Sequence, residues 1–225
     1  MKHRQRNYIM GAVALLSLAV TLVDALIKPD YWAKVCVKMV CFLAIPLLYF
    51  VCSGEYGALC RLFRPRKAAM LRALTLGAAI YGVILGGYFA VRGVVDFSNV
   101  TTTLYKNHGI TGSNFLYVAL YVALLNSFLE EFFFRGFGFL ALQSHVGRKA
   151  AYLFSPIFFA VYHAGMLAGM FDWWVLLILF AGLFAGGCIF NYLNETGGSL
   201  YPSWISHMCA NFAINTVGFL LLGAL

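Results

Sequence analysis

Two adjacent glutamates, Glu130 and Glu131, stand in an otherwise apolar and aromatic run, Ser127-Phe128-Leu129-Glu130-Glu131-Phe132-Phe133-Phe134-Arg135. At about 100° per residue, a helix puts Glu131 and Arg135 one turn apart on one face, a spacing suited to an ion pair. Glu130 then points elsewhere and has no local partner. One carboxylate is enough to brace a bundle through Arg135, so the second is better explained by chemistry. Further along, Phe159 and His163 lie one turn apart, as do His207 and Asn211. Each has a bland reading. A lone histidine on an apolar helix is usually a packed core residue, and a His/Asn pair serves as an interhelical hydrogen-bond clamp. Together, two carboxylates, two imidazoles, an amide and a guanidinium on apolar helices satisfy one another best around one water-filled cavity. There a carboxylate can act as a general base, and fixed N–H donors in low dielectric can stabilise a developing oxyanion.

The elements that must hold these side chains are membrane helices. The 225 residues are 62% hydrophobic and 11% charged, with mean hydropathy +0.83. A soluble domain of this size carries far more charge. The apolar residues come in blocks long enough to cross about 30 Å of hydrocarbon, roughly 20 helical residues each. Lipid offers backbone N–H and C=O groups no partners, so each block is a helix or part of a closed barrel. The blocks lack the alternation of barrel strands. The expectation is an all-α polytopic transmembrane helical bundle, one integral-membrane domain over 1–225.

Seven spans are predicted, at about 8–27, 35–52, 73–91, 114–136, 150–168, 173–194 and 201–224. Phe137 to Val146 is too short to cross, and either extends span four or lies along the interface as an amphipathic segment. The spacings Gly82/Gly86, Gly165/Gly169 and Gly182/Gly186 are those of close helix packing. Lys38, near the start of span two, can snorkel to the headgroups and Asp24 lies close to a helix end, so both are expected to be structural or interfacial. The six cysteines contain no CxxC pair, and they indicate neither a disulfide framework nor a zinc knuckle.

Lys and Arg outnumber Asp and Glu 16 to 8. The basic residues cluster beside hydrophobic blocks, as topology signals do, and form no groove with interleaved aromatics, so no nucleic-acid partner is expected. Arg61, Arg64, Arg66, Lys67 and Arg72 follow span two, and Arg148 and Lys149 follow span four. The positive-inside rule then puts the N-terminus in the cytoplasm and the C-terminus outside. The first span reads as an uncleaved helix rather than a secretory signal. The short chain and basic N-terminus point to a bacterial cytoplasmic membrane. On these spans Glu130 and His207 fall near the cytoplasmic ends of their helices and His163 deeper. Either span five starts late, near Pro156, or the face is reversed.

The three motifs resemble the signature of the CAAX-protease and bacteriocin-processing family of intramembrane proteases (CPBP, or ABI), which includes the type II CAAX prenyl endopeptidases. The family pattern, EExxxR, then FxxxH, then HxxxN, appears as Glu130-Glu131…Arg135, Phe159…His163 and His207…Asn211, in order. The segments Ser155-Pro156-Ile157-Phe158 and Gly198 to Ser206 are also similar to the family. The resemblance covers roughly 120 to 215, so 113–215 is read as the catalytic core and 1–112 as three helices with no family signal. It implies hydrolysis of a peptide bond near the C-terminus of a membrane-anchored protein or peptide. By the family pattern Glu130 is the general base, aided by His163. His207 and Asn211 stabilise the oxyanion, while Glu131 and Arg135 orient the site and Phe159 supports it.

The same residues admit a second mechanism. Glu130, His163 and His207 could hold zinc as a His₂Glu site, which would make the protein a metalloprotease. The sequence has no HExxH, and the metal-free glutamate mechanism is preferred, with no cofactor. Two rivals of another class remain: a non-proteolytic scaffold or immunity protein, and a proton-coupled transporter whose buried Glu and His form a relay.

Overall fold

The computed structural model describes residues 2–27 and 29–223. Among them there is no strand, and seven helices are long and apolar enough to cross a membrane. The crossing helices are α1 His3–Ile27 and α2 Tyr31–Ser53, then α4 Lys67–Val91, α6 Phe115–Val146, α7 Arg148–Leu167, α8 Trp173–Gly197 and α9 Tyr201–Leu222. Two short helices, α3 Tyr56–Leu62 and α5 Ser98–His108, precede α4 and α6 respectively. The all-α polytopic bundle is therefore as expected. The final residue of the last predicted span lies outside the described residues.

Local chemistry sets the boundaries. Asp30 caps α2, its Oδ1 accepting from the amides of Trp32 at 3.0 Å and Ala33 at 3.1 Å. Gly198, at φ 68°, ends α8 in the left-handed conformation a helix C-terminus favours. Pro202 then sits in the first turn of α9, where its missing N–H costs nothing.

The axis of the bundle is α6. Half of its most apolar stretch is buried inside the protein, against 6% for α4. Phe132, Phe133, Phe134, Phe137 and Phe139 are all fully buried. Phe133 stacks on Phe42 of α2 at 4.3 Å, and Phe134 meets Phe159 of α7 edge-on at 5.4 Å. The Phe137–Val146 stretch continues α6 rather than lying along an interface, because Phe137, Phe139 and Leu142 are buried in the same core. Gly147, at φ 82°, then makes the tight turn into α7.

This longer α6 resolves the depth problem. Glu130 lies sixteen residues before Val146, and His163 lies fifteen after Arg148, so the α6–α7 hairpin brings them level. Span five does not start late. Pro156 lies inside α7 and removes the N–H that would bond the carbonyl of Tyr152. Asn191 of α8 supplies the replacement, Nδ2 to Tyr152 O at 3.1 Å, the kind of repair a proline inside a membrane helix requires.

The glycine expectation needs correcting. Of the six glycines with that spacing, a Cβ at Gly82, Gly86, Gly169, Gly182 or Gly186 would meet nothing within 4 Å, and Gly165 alone is at a close approach. The tight contacts occur elsewhere. A Cβ at Gly77 would lie 2.7 Å from Cys209 Sγ, and one at Gly187 would lie 2.8 Å from Pro156 Cβ and 3.2 Å from Arg135 Nη2. GxxxG spacing marks a narrow helix face but does not say which face meets a neighbour. Gly187→Leu should overpack this junction by about 1–3 kcal/mol and lower the unfolding midpoint in detergent by several degrees. Gly82→Leu should leave it unchanged. Equal midpoints for the two variants would contradict the packing.

Candidate active site

Glu130 and Glu131 sit on Ser127–Glu131, a short regular stretch of α6 between two segments, Val122–Asn126 and Phe132–Ala141, where the helix widens to i→i+5 hydrogen bonding. Such widenings rotate the side chains that follow them and recur at functional sites. Here they lie on both sides of the two carboxylates.

The two oxygens of Glu130 face different surroundings. Oε1 accepts from Asn126 Nδ2 at 2.7 Å and from the Tyr162 hydroxyl at 2.9 Å, and Lys38 Nζ stands 3.8 Å away. Oε2 faces two imidazoles, His207 Nε2 at 3.7 Å and His163 Nε2 at 3.9 Å. These separations are too long for direct hydrogen bonds and suit one small group shared between them. Glu130, at 2% exposure, and His207, at 5%, are buried.

Both rings are fixed from behind. His163 Nδ1 lies 2.7 Å from the carbonyl of Phe159, one turn earlier, and His207 Nδ1 lies 2.8 Å from Glu131 Oε1. A carbonyl and a carboxylate only accept, so both Nδ1 atoms carry hydrogen and both Nε2 atoms turn toward Glu130. His207 also stacks on Phe190 of α8 at 5.3 Å. Glu131 in turn pairs with Arg135 Nη1 at 3.2 Å. That contact is not aligned as a hydrogen bond. The guanidinium is held by charge and by the faces of Phe159, 4.0 Å from its carbon, and Phe190, 5.2 Å away.

The predicted residues thus divide into two groups, with Asn211 apart from both. Glu130, His163 and His207 converge, and Glu131, Arg135 and Phe159 form the layer behind them. Asn211 has its Nδ2 on the carbonyl of Val122 at 3.1 Å, one turn from Asn215, whose Nδ2 bonds Ala119 O at 2.9 Å. Both amides tie α9 to α6.

Two sequence readings are overturned. Glu130 does have local partners, because Asn126 precedes it by one turn on the same face. Lys38 does not snorkel to headgroups. Its Nζ bonds Asn126 Oδ1 at 2.9 Å and lies 5.1 Å from the centre of the Tyr162 ring. The cause is its neighbours: Lys34, one turn earlier, is already engaged by Asp24 at 3.0 Å, and α2 packs against α6 at this level. The Asn126/Glu130 spacing was visible in the sequence, and Tyr162 adjoins His163, but nothing in the sequence linked Lys38 to Glu130. A cavity of about 220 Å³ is lined by Arg61, Leu62, Gly136, Gln143 and Glu195 among others. None of Glu130, His163 and His207 lines it.

The donor types around Glu130 are those of a zinc site, since each histidine is oriented through Nδ1 as second-shell partners orient metal ligands. The spacing does not close on an ion. Zinc bonds of about 2.0–2.1 Å put tetrahedral ligands about 3.3 Å apart, shorter than both separations here. Among the described residues no three His, Cys, Asp or Glu groups are arranged to hold a metal. Lys38 also already sets a positive charge beside Glu130.

Residues 112–213, a little under half of the chain, match the family model described as type II CAAX prenyl endopeptidase Rce1-like. The match contains every motif residue from Glu130 to Asn211 and leaves Lys38 outside. No curated protein and no solved structure matches the chain.

Proposed function

On the premise that residues 112–213 form a domain of the Rce1-like family, to which they match, we propose that this integral membrane protein is a metal-independent endopeptidase in which Glu130 activates water. The observation that carries this reading is the asymmetry of Glu130. Three donors crowd Oε1, leaving Oε2 free to take a proton. A water between Oε2 and the imidazoles would donate to Oε2 and to the neutral His163 Nε2, keeping a lone pair for a peptide carbonyl. As that bond forms, the proton passes to Oε2 and the carbonyl oxygen becomes an oxyanion. His207, entering the step as an imidazolium paired with Glu131, donates to it from Nε2. Glu130 then returns the proton to the leaving amine.

The substrate is a membrane-anchored protein or peptide cut near its C-terminus. His207 lies six residues, or about 9 Å, from the start of α9. That end of the bundle also carries the arginine-rich segment, for Leu200 N–H bonds the carbonyl of Leu62 at 2.9 Å. We propose that this arginine-rich end and the N-terminus lie on the cytoplasmic side of a bacterial inner membrane.

The test is cleavage by purified protein in detergent of lipidated and unlipidated C-terminal peptides, read by mass spectrometry. A new terminus within a few residues of the original end is expected. Folded protein that cuts none of them favours the scaffold. Chelation should leave the rate within about twofold, since no step passes through a metal. Loss on chelation with recovery on zinc would overturn the metal-free mechanism.

A further inference from the structure

Lys38 lies 3.8 Å from Glu130 Oε1 and bonds the Asn126 amide that itself bonds the same oxygen, at 2.9 and 2.7 Å. It belongs to α2, outside the family match, and its side chain is only 14% exposed. Within 4 Å of this carboxylate, the positive groups other than Lys38 are imidazoles, which are charged only when protonated; the Arg135 guanidinium faces Glu131. An ammonium inside the bilayer is expensive and needs a reason. The neighbouring Lys34–Asp24 pair, at 3.0 Å, already ties α2 to α1, so holding α2 in place does not by itself require a second buried lysine.

We propose that Lys38, through Asn126, is a positioning residue for the proteolytic reaction. It anchors Glu130 Oε1 and offsets the carboxylate's charge, so that Oε2 is presented to the water. This rests on the reading of Glu130 as the base. Lys38 touches neither water nor peptide in this scheme and acts only through Glu130. The geometry explains why an amide intervenes. The ammonium bonds Asn126 Oδ1, Asn126 Nδ2 bonds Glu130, and the amide cannot turn over without losing both bonds.

The experiment compares Lys38→Met and Lys38→Arg, each alone and with Glu130→Gln, by steady-state cleavage and thermal unfolding. Lys38→Met should lower kcat by about 100-fold with KM within about threefold, since the loss falls on the transition state. Lys38→Arg, which keeps the charge, should recover at least about tenfold of that loss. Stability should show coupling: Lys38→Met lowers the midpoint in the wild-type background and changes it little beside Glu130→Gln. If Lys38→Met fails to accumulate, accumulation of the double variant supports the pairing. Equal damage in both backgrounds, or failure of both, makes Lys38 a packing residue and overturns the proposal. So does a Lys38→Met enzyme with wild-type kcat when Glu130→Gln is inactive. Residual cleavage by Glu130→Gln would instead remove the underlying reading.

Discussion

Glu130→Gln is expected to abolish cleavage, lowering kcat by at least about 10³-fold, or about 4 kcal/mol of barrier, while the protein still folds. The near-isosteric amide keeps an oxygen able to accept from Asn126 and Tyr162, the two close donors at 2.7 and 2.9 Å. Its nitrogen, turned toward the imidazoles, donates to the His163 Nε2 lone pair. Lys38 keeps its 2.9 Å bond to Asn126. What disappears is the one oxygen able to take a proton from water, and no other carboxylate can replace it. Glu131 is closest in sequence, but its Oε1 is engaged by His207 and Arg135, and its Oε2, although without a hydrogen-bond partner, is fully buried. Single-turnover cleavage of a fluorogenic peptide, alongside the unfolding midpoint, gives both quantities. Residual activity above about a tenth of wild type, in protein of unchanged stability, would mean that the water is activated elsewhere. A scaffold would keep its phenotype with this substitution, and a transporter would lose flux without ever having yielded a product.

How much of this was legible depended on whether an interaction ran along a helix or between helices. The Glu131–Arg135 pair and the His163 bond to the Phe159 carbonyl are both one-turn relations, fixed by 3.6 residues per turn. The seven spans followed from segment hydrophobicity. Glu130, His163 and His207 could be grouped because polar side chains on apolar helices satisfy one another best around one cavity, and the family resemblance names the same three; the structure adds that both imidazole Nε2 atoms face one oxygen of Glu130. Lys38 illustrates the limit. A lysine near the end of an apolar block has two stable solutions, headgroup or buried carboxylate, and only the packing of α2 against α6 decides between them. The choice at Phe137–Val146 between an extension of span four and an interfacial segment stayed open for a related reason. The stretch is too short to cross a membrane, but Phe137, Phe139 and Leu142 are buried in the core, and the sequence alone does not show what covers them. The helix widenings around Ser127–Glu131 likewise leave no periodic trace.

Arg135→Met should produce the largest loss of stability, about 3–5 kcal/mol, which at about 2–4 °C per kcal/mol for a chain of this size is on the order of 10 °C. Arg135 is fully buried, and Glu131 is its direct carboxylate partner at 3.2 Å. Removing the guanidinium strands a carboxylate whose Oε2 already has no hydrogen-bond partner. It also withdraws the cation from between the Phe159 and Phe190 faces. Arg135→Lys should recover part of the stability, because an ammonium restores charge but neither the flat stack nor the fork. The informative variant is the double one, Arg135→Met with Glu131→Leu, which removes both charges and keeps apolar volume. A buried pair replaced in this way is often neutral or stabilising, so the midpoint should return to near that of the wild type. Activity should not return, because His207 loses the carboxylate that holds its Nδ1 and its Nε2 is no longer aimed at Glu130. Recovery of both stability and cleavage would reduce Glu131 and Arg135 to a structural brace. Recovery of stability alone would separate the two roles, with the ion pair holding the bundle through Arg135 and setting the histidine through Glu131.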